Sequence, residues 1–356
     1  MIYIGITNVL FLLRSILAQN AILRNQMYFI IIFFLFVFSA FRYQVGCDWF
    51  GYYNQWLNAS PDKIETLTFF NEPIWNVALV FIRYMDWPYP TVNVLSSLIF
   101  FLGIHAFARK QPDRLAFLIL LFPILIINMP MSGIRQGAAI GMMCVAFTAF
   151  IERRPFRFMF WLIVATGFHV SALIFLLLLP LSAGRFSKTR IILSAILALP
   201  GLFILAFTVA FERAISMYVG TEIDAAGGIF RVGMQVLTVL YFLIFLRKKW
   251  LQVSPQDYSL VFIYMVAIAA VGLIVTISST MGDRINYYFI PIQAMIFARI
   301  PFLPFKRSRM LHTALPYLGL FIIFATWTIL SDHFTKCYIP YQSWIFGFPG
   351  RDSNGI

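Results

Sequence analysis

The chain is 356 residues long, 61% of them hydrophobic and only 12% charged, with 40 Phe, 8 Trp and a mean hydropathy of +0.84. That much apolar surface exceeds what soluble cores hide, and its uninterrupted runs exclude an alternating barrel and leave spanning helices. The 27 basic against 14 acidic residues, a formal +13, sit in short clusters between apolar runs, as orientation signals do, and not on a nucleic-acid surface.

An all-α, polytopic membrane helical bundle follows. Spans are predicted over 2–18, 27–41, 91–108, 115–128, 134–151, 191–211, 229–246, 258–280, 284–299 and 310–331. With two further segments that resist assignment, the count is about 10–12 transmembrane helices, including one or two re-entrant or short half-helix pieces. Met1–Leu13 meets Arg14 only after its apolar stretch, so it reads as a first span and not as a cleaved signal. No repeat or low-complexity linker is visible, and residues 1–356 read as a single integral membrane domain.

Six clusters fix the orientation: Arg14/Arg24, Arg109/Lys110/Arg114, Arg153/Arg154/Arg157, Arg185/Lys188/Arg190, Arg247/Lys248/Lys249 and Arg299/Lys306/Arg307/Arg309. They hold 18 of the basic residues beside only Asp113, Glu152 and Asp257, so one face carries +15 and the other −2. Placing all six in the cytoplasm satisfies the positive-inside rule and puts both termini outside. This works only if 158–181, broken at Thr166-Gly167-Phe168-His169, is a hairpin of two half-helices with its tip near His169. The segment 73–86, bounded by Glu72-Pro73 and Asp86-Trp87-Pro88, then dips in from outside or lies along the interface.

The remaining ionisable residues fall on the outer side, where each is costly unless paired or wetted, and they suggest a shared polar cavity. The outer loop 42–72 opens with Arg42 and supplies the carboxylates Asp48 and Glu72. Its Trp49, Tyr52, Tyr53 and Trp56 are either an interfacial aromatic belt or a stacking platform for sugar rings. Arg135-Gln136 opens the helix 134–151 behind a Pro/Gly-shaped loop. A guanidinium there joins the free N–H groups of a helix N-terminus in favouring phosphate or carboxylate; snorkelling to the headgroups is the plainer reading.

His169 is either a catalytic group or a satisfied buried histidine, whereas His105, His312 and His333 lie near helix ends or tails and read as structural. Asp283-Arg284 is predicted to begin a helix, either as a local ion pair or as a second phosphate ligand held by the aspartate. The segment 212–231, with Glu212, Glu222, Asp224 and Gly227-Gly228, reads as a solvated loop or a lid facing substrate. Cys47, Cys144 and Cys337 lack metal-ligand spacing, and an odd count argues against a disulfide framework, although Cys47 and Cys337 both fall outside the membrane. No Walker A, GxGxxG, HExxH or CxxC motif is present, so neither a metal nor another cofactor is expected.

Taken together, Arg42 with Gly46-x-Asp48-x-x-x-Tyr52, Glu72-Pro73, Arg135-Gln136, Phe168-His169-x-Ser171-Ala172, Arg284-x-x-x-Tyr288 and Ile339-Pro340-Tyr341 resemble the EpsG-like branch of the Wzy-type polysaccharide polymerases. The resemblance implies a GT-C-like membrane glycosyltransferase in the bacterial inner membrane. It would join undecaprenyl-diphosphate-linked oligosaccharide repeats into O-antigen, capsule or exopolysaccharide at the periplasmic or outer face. Donor and acceptor are both lipid-linked in that reading, and a chain-length regulator is a further partner it leaves open. It places Arg135, Arg284 and Arg42 on the diphosphate and Trp49, Tyr52, Tyr53, Gln136 and Tyr288 on sugar. Asp48, Glu72 or His169 would be the general base. A lipid-linked oligosaccharide flippase, a membrane O-acyltransferase and a glycan ligase are the rival readings.

Overall fold

The computed structural model describes residues 2–65, 71–184, 187–194, 196 and 227–347. Most of the predicted span 191–211 and of the segment 212–231 lies outside the described residues. Helices dominate, and among the described residues the only β-type pairings are the isolated bridges Arg42–Ser343 and Ile345–Gly347. Among the described residues seven helices are long and apolar enough to cross a bilayer, and four shorter apolar segments accompany them. This is an all-α, multi-pass membrane bundle. Phe33, Phe156, Leu273 and Leu330 are among many large apolar side chains left exposed on its flanks, where lipid is their solvent.

The chain runs α1 (Ile2–Ile16) and α2 (Ala21–Ala40), then a short α3 (Trp49–Leu57) and α4 (Pro73–Tyr84). Next come α5 (Pro90–Ala108), α6 (Arg114–Leu121, prolonged by a π turn over Phe122–Ile126), α7 (Ile134–Ile151) and α8 (Pro155–Phe168). After a 3-10 helix over Val170–Leu178 follow α9 (Gly228–Tyr241), α10 (Tyr258–Ile277), α11 (Ser279–Tyr287), α12 (Ile290–Arg299), α13 (Arg309–Leu330) and α14 (Asp332–Tyr338).

The basic clusters meet at one end. There Asp113 caps α6 by accepting from the Ala116 N–H and receives Arg14 at 2.7 Å and Arg24 at 3.3 Å. Arg299 reaches Asp257 and the Gln111 side chain. Lys110, 2.8 Å from Glu152, holds that carboxyl below the usual carboxylate range. Arg42, Asp48, Glu72, Arg135, Asp283 and the tail 331–347 gather at the opposite end.

The predicted hairpin is present. After α8 the chain turns at His169 and packs back along itself through the 3-10 helix, bringing Leu181 and Gly184 to the same surface as Arg153 and Arg247. Its tighter second half has a local cause. Pro180 has no N–H to give the Leu176 carbonyl, which instead accepts from Leu179 in an i→i+3 bond. The predicted helix 284–299 is in fact two, α11 and α12, because Pro291 at the start of α12 starts a fresh helix. At 12 residues, or about 18 Å, α4 is too short to cross the bilayer.

The centre of the bundle is α7 against α5. A Cβ on Gly103 would lie 1.9 Å from the Gly141 carbonyl oxygen, and one on Gly141 would lie 2.7 Å from the Phe100 Cα. The two backbones touch directly, as small residues permit in membrane helices. That contact fixes the height of α7, and with it Arg135.

Candidate functional site

A cavity of about 480 Å³ opens at the end away from the basic clusters. It is built where the N-terminus of α7, the middle of α11, the start of α9, the hairpin tip, α3 and the tail helix α14 converge. Asp48, Tyr52, Arg135, Gln136, His169 and Arg284 line it, all of them anticipated from the sequence. Asp283, expected on the outer side beside Arg284, lines it as well, and so do Arg231, Ser132, His333 and Tyr338, which were not assigned there.

Arg135 stands in the first turn of α7, behind a Gly133 N-cap that makes no side-chain capping bond. The end of the helix dipole therefore faces the cavity without a neutralising cap. Its Nη1 donates to Glu72 Oε2 at 2.5 Å, and the guanidinium lies over the Tyr52 ring at 5.5 Å. Glu72 takes up φ 53°, left-handed for a non-glycine residue, at the N-cap of α4 before Pro73. That conformation is held from both sides. Glu72 Oε2 binds Arg135, while Oε1 accepts from the Val170 N–H at 3.3 Å and lies 4.0 Å from His169 Nδ1.

His169 ends α8 in an extended conformation. Its Nδ1 lies 3.3 Å from the Ser171 backbone N–H and 2.6 Å from Ser171 Oγ, which is in turn 2.9 Å from the Tyr288 hydroxyl. A backbone N–H can only donate, so Nδ1 is an acceptor and the neutral ring carries its proton on Nε2. Tyr288 thus acts behind His169 and not in the cavity wall, and is fully buried. Gln136 Nε2 donates to the Arg284 carbonyl at 2.5 Å, tying α7 to α11.

Asp283 does not hold Arg284. Its two oxygens accept from Nε and Nη2 of Arg231 at 2.9 and 2.6 Å, a bidentate pair between α9 and α11 with both side chains buried. Asp283 and Arg284 are also mid-helix rather than at a helix start, because Ser278 supplies the N-cap by accepting from the Met281 N–H. The sequence signal for Arg231 was a guanidinium one turn into an apolar helix after Gly227-Gly228, a costly placement without a partner.

Of the predicted site residues, Glu72 and Tyr288 stand behind the cavity wall, and Arg42, Trp49 and Tyr53 lie elsewhere. Arg42 is fully buried, and it donates to the carbonyls of Ser39, Val45 and Met131 and to Asn93 Oδ1, all at 2.8–3.1 Å. These bonds fasten α2, the outer loop, α5 and the turn before α7 together. Trp49 is buried against Tyr89, stacks on Tyr53 at 5.4 Å and packs edge-on to Tyr43; this internal cluster does not line the cavity. Beside it Gly46, at φ +101°, lets the loop pass the Met131 carbonyl, which a Cβ would meet at 1.8 Å. That approach places Asp48 Oδ2 3.2 Å from Ser132 Oγ, its one donor among the described residues.

Cys47 and Cys337 form a disulfide, correcting the expectation from their odd number; Cys144 alone is free and buried. Here His333 approaches Cys47 Sγ at 3.2 Å and joins the cavity wall, which revises its reading as a purely structural residue. Burial holds His333 below the ordinary histidine range, Arg231 adds to this, and Asp48 opposes it. Although Cys47, His333 and Cys337 bring ligand-type atoms within 4.8 Å of one another, sulfurs joined to each other are not thiolate ligands.

A family model described as the EpsG family matches residues 25–343, from within α2 to the tail that follows α14. The chain belongs to the EpsG family. No curated protein and no solved structure matches it. Membership in the EpsG family makes this a polysaccharide-polymerase-like, glycosyltransferase-type protein of a membrane, handling lipid-linked oligosaccharides.

Proposed function

We propose that the protein joins undecaprenyl-diphosphate-linked oligosaccharide repeats into a surface polysaccharide by glycosyl transfer, in a single integral domain of the bacterial inner membrane whose cavity faces outward. The observation that carries this reading is the convergence of Arg135, Arg231 and Arg284 on one cavity beneath an uncapped helix N-terminus. Three guanidiniums and a helix dipole form a site for a multiply charged anion. Orientation is supported by two independent features: the basic clusters lie at the other end, and the disulfide beside the cavity belongs to an oxidising compartment.

The reaction breaks the bond from the sugar C1 to the diphosphate oxygen and forms one from C1 to an acceptor hydroxyl oxygen. The hydroxyl proton leaves to a base, and the lipid diphosphate departs with the electron pair. Arg135 keeps the unpaired edge of its fork for the diphosphate while Glu72 and Tyr52 hold it in place. His169, with Nε2–H as donor, completes the leaving-group side. Charge stabilisation of this kind supplies about 10²–10³ in rate per donor. Asp48 is the base, since its carboxylate faces the cavity with one weak partner, whereas both oxygens of Glu72 are engaged.

The test is the purified protein given lipid-linked repeat and no nucleotide sugar. Ladder formation is expected, and Arg135→Ala and Arg284→Ala abolish it, with Arg→Lys recovering little because an ammonium lacks the fork. Wild-type-length product from both alanine variants would remove the clamp. Cells carrying them should display single repeats outside; repeats trapped inside would instead indicate a flippase, and unchanged chain length an acyltransferase.

A further inference from the structure

Beside the main cavity lies a second one of about 270 Å³, walled by α3 and α4 and sharing Gly51 and Gln55 with the first. Its α3 wall is a stripe at helical spacing: Gly51, Asn54, Gln55 and Asn58 stand at i, i+3, i+4 and i+7. Facing it from α4 are Asn76, Leu79 and Val80, again one helical face. A polar stripe on a short outer helix is ordinarily a solvated surface. Here it lines a cavity against another helix, and the opposite stripe of α3 is the packed aromatic face of Trp49, Tyr52 and Trp56.

The chemistry of the lining is selective. Among the described residues it holds amides and apolar carbons and no ionisable side chain, in contrast to the arginines and aspartates next door. Several amide atoms are directed by their partners. Trp75 Nε1 donates to Gln55 Oε1 at 3.2 Å, which leaves Gln55 Nε2 as a donor for the cavity. Asn76 Nδ2 donates to the carbonyls of Asn71 and Glu72, so its Oδ1 remains an acceptor. Asn54 has no hydrogen-bond partner for its amide among the described residues. Amides offer a donor and an acceptor at fixed separation, the complement of vicinal hydroxyl or acetamido groups, and Leu79 and Val80 suit the C–H face of a sugar ring. A prenyl chain gains nothing from amides, and a phosphate finds no cation among the described residues of the lining.

We infer that this second cavity binds uncharged sugar residues of the oligosaccharide whose diphosphate occupies the main cavity, with Gly51 as the open throat between them. The assignment rests on the proposed function for its diphosphate half. A Cβ on Gly51 would meet nothing within 4 Å, so the throat is space that a larger side chain fills without displacing backbone.

The experiment measures binding to purified wild-type protein, Asn54→Leu, Gly51→Leu and Arg135→Ala by calorimetry. One probe is undecaprenyl diphosphate. The other is free oligosaccharide released by mild acid from the producing cells' lipid-linked pool. Asn54→Leu and Gly51→Leu should each weaken oligosaccharide binding by roughly tenfold or more, the equivalent of one or two hydrogen bonds, with the diphosphate probe unaffected by Asn54→Leu. Arg135→Ala should show the reverse. Each variant's thermal midpoint reports folding, and because the Gly51→Leu side chain enters open space, it serves if Asn54→Leu is unstable. Unchanged oligosaccharide affinity in the folded variants, or no oligosaccharide binding to the wild type, overturns the inference. If oligosaccharide binding falls as expected but undecaprenyl diphosphate binds nowhere, the sugar cavity stands and the diphosphate reading falls.

Discussion

A carboxylate that already accepts at both oxygens is a poor proton acceptor, and Glu72 is bound on one side by Arg135 and on the other by the Val170 N–H. His169 is constrained in a similar way, because the Ser171 N–H fixes its tautomer and turns the neutral ring into a donor at Nε2. Gln places an amide N–H near the Nε2 position, so His169→Gln should keep a substantial part of the polymerising rate while His169→Ala loses about 10². If His169 were the base instead, Gln would be as inactive as Ala; product rates from the two variants decide. Arg231 and Asp283 call for a stability measurement as well. Removing one member of this buried pair strands the other and should cost about 3–5 kcal/mol, whereas Arg231→Met with Asp283→Leu should recover the thermal midpoint without recovering activity. Rescue of activity by that double apolar variant would show that Arg231 serves folding alone. Arg135, Asp48 and Arg284 were legible because ionised groups at the rims of apolar runs are expensive. The Arg231–Asp283 pairing was not, since nothing in the spacing of residues 52 apart reports that α9 and α11 touch.

At the level of elements, the hairpin around His169 was legible from charge alone, because one straight crossing would have carried Arg185, Lys188 and Arg190 to the wrong face. Its 3-10 form and the break between α11 and α12 depend on which carbonyl a proline deprives, a detail that hydropathy averages away. Gly141 on α7 is a small residue in the sequence like any other, and nothing there shows that its partner is Gly103 on α5. Because the added Cβ of Gly103→Ala would lie 1.9 Å from a backbone oxygen, neither helix can yield locally. That substitution should lower stability by about 2–3 kcal/mol or more and reduce the monodisperse fraction in size-exclusion chromatography. Gly319→Ala in α13 has nothing within 4 Å and is the matched control, neutral or slightly stabilising by its helix propensity. Equal behaviour of the two would mean that α5 and α7 are not in backbone contact.

Across the whole molecule the ends are chemically unlike, and the sequence showed this through six basic clusters. It did not show how the lipid-flanked bundle is closed at the cavity end, because a contact between residues 290 apart leaves no periodic trace. The closure is a seam. Gly46 N–H donates to the Cys337 carbonyl, Tyr43 N–H to that of Gln342 and Trp344 N–H to that of Phe41, while Tyr3 Oη–H reaches the Tyr338 carbonyl. Cys47–Cys337 locks the seam covalently, and α14, which bears Cys337, carries His333 and Tyr338 into the cavity wall. Protein denatured without reductant should therefore take up one maleimide-polyethylene glycol, at Cys144, and three after reduction. Three reactive thiols before reduction would show that the tail end never meets an oxidising compartment, and the proposed outward cavity would fail with it. Where the bond does form, Cys47→Ser with Cys337→Ser should cost about 2–5 kcal/mol of stability. Polymer yield should fall with it, because the wall that α14 completes loses its anchor while every arginine stays in place.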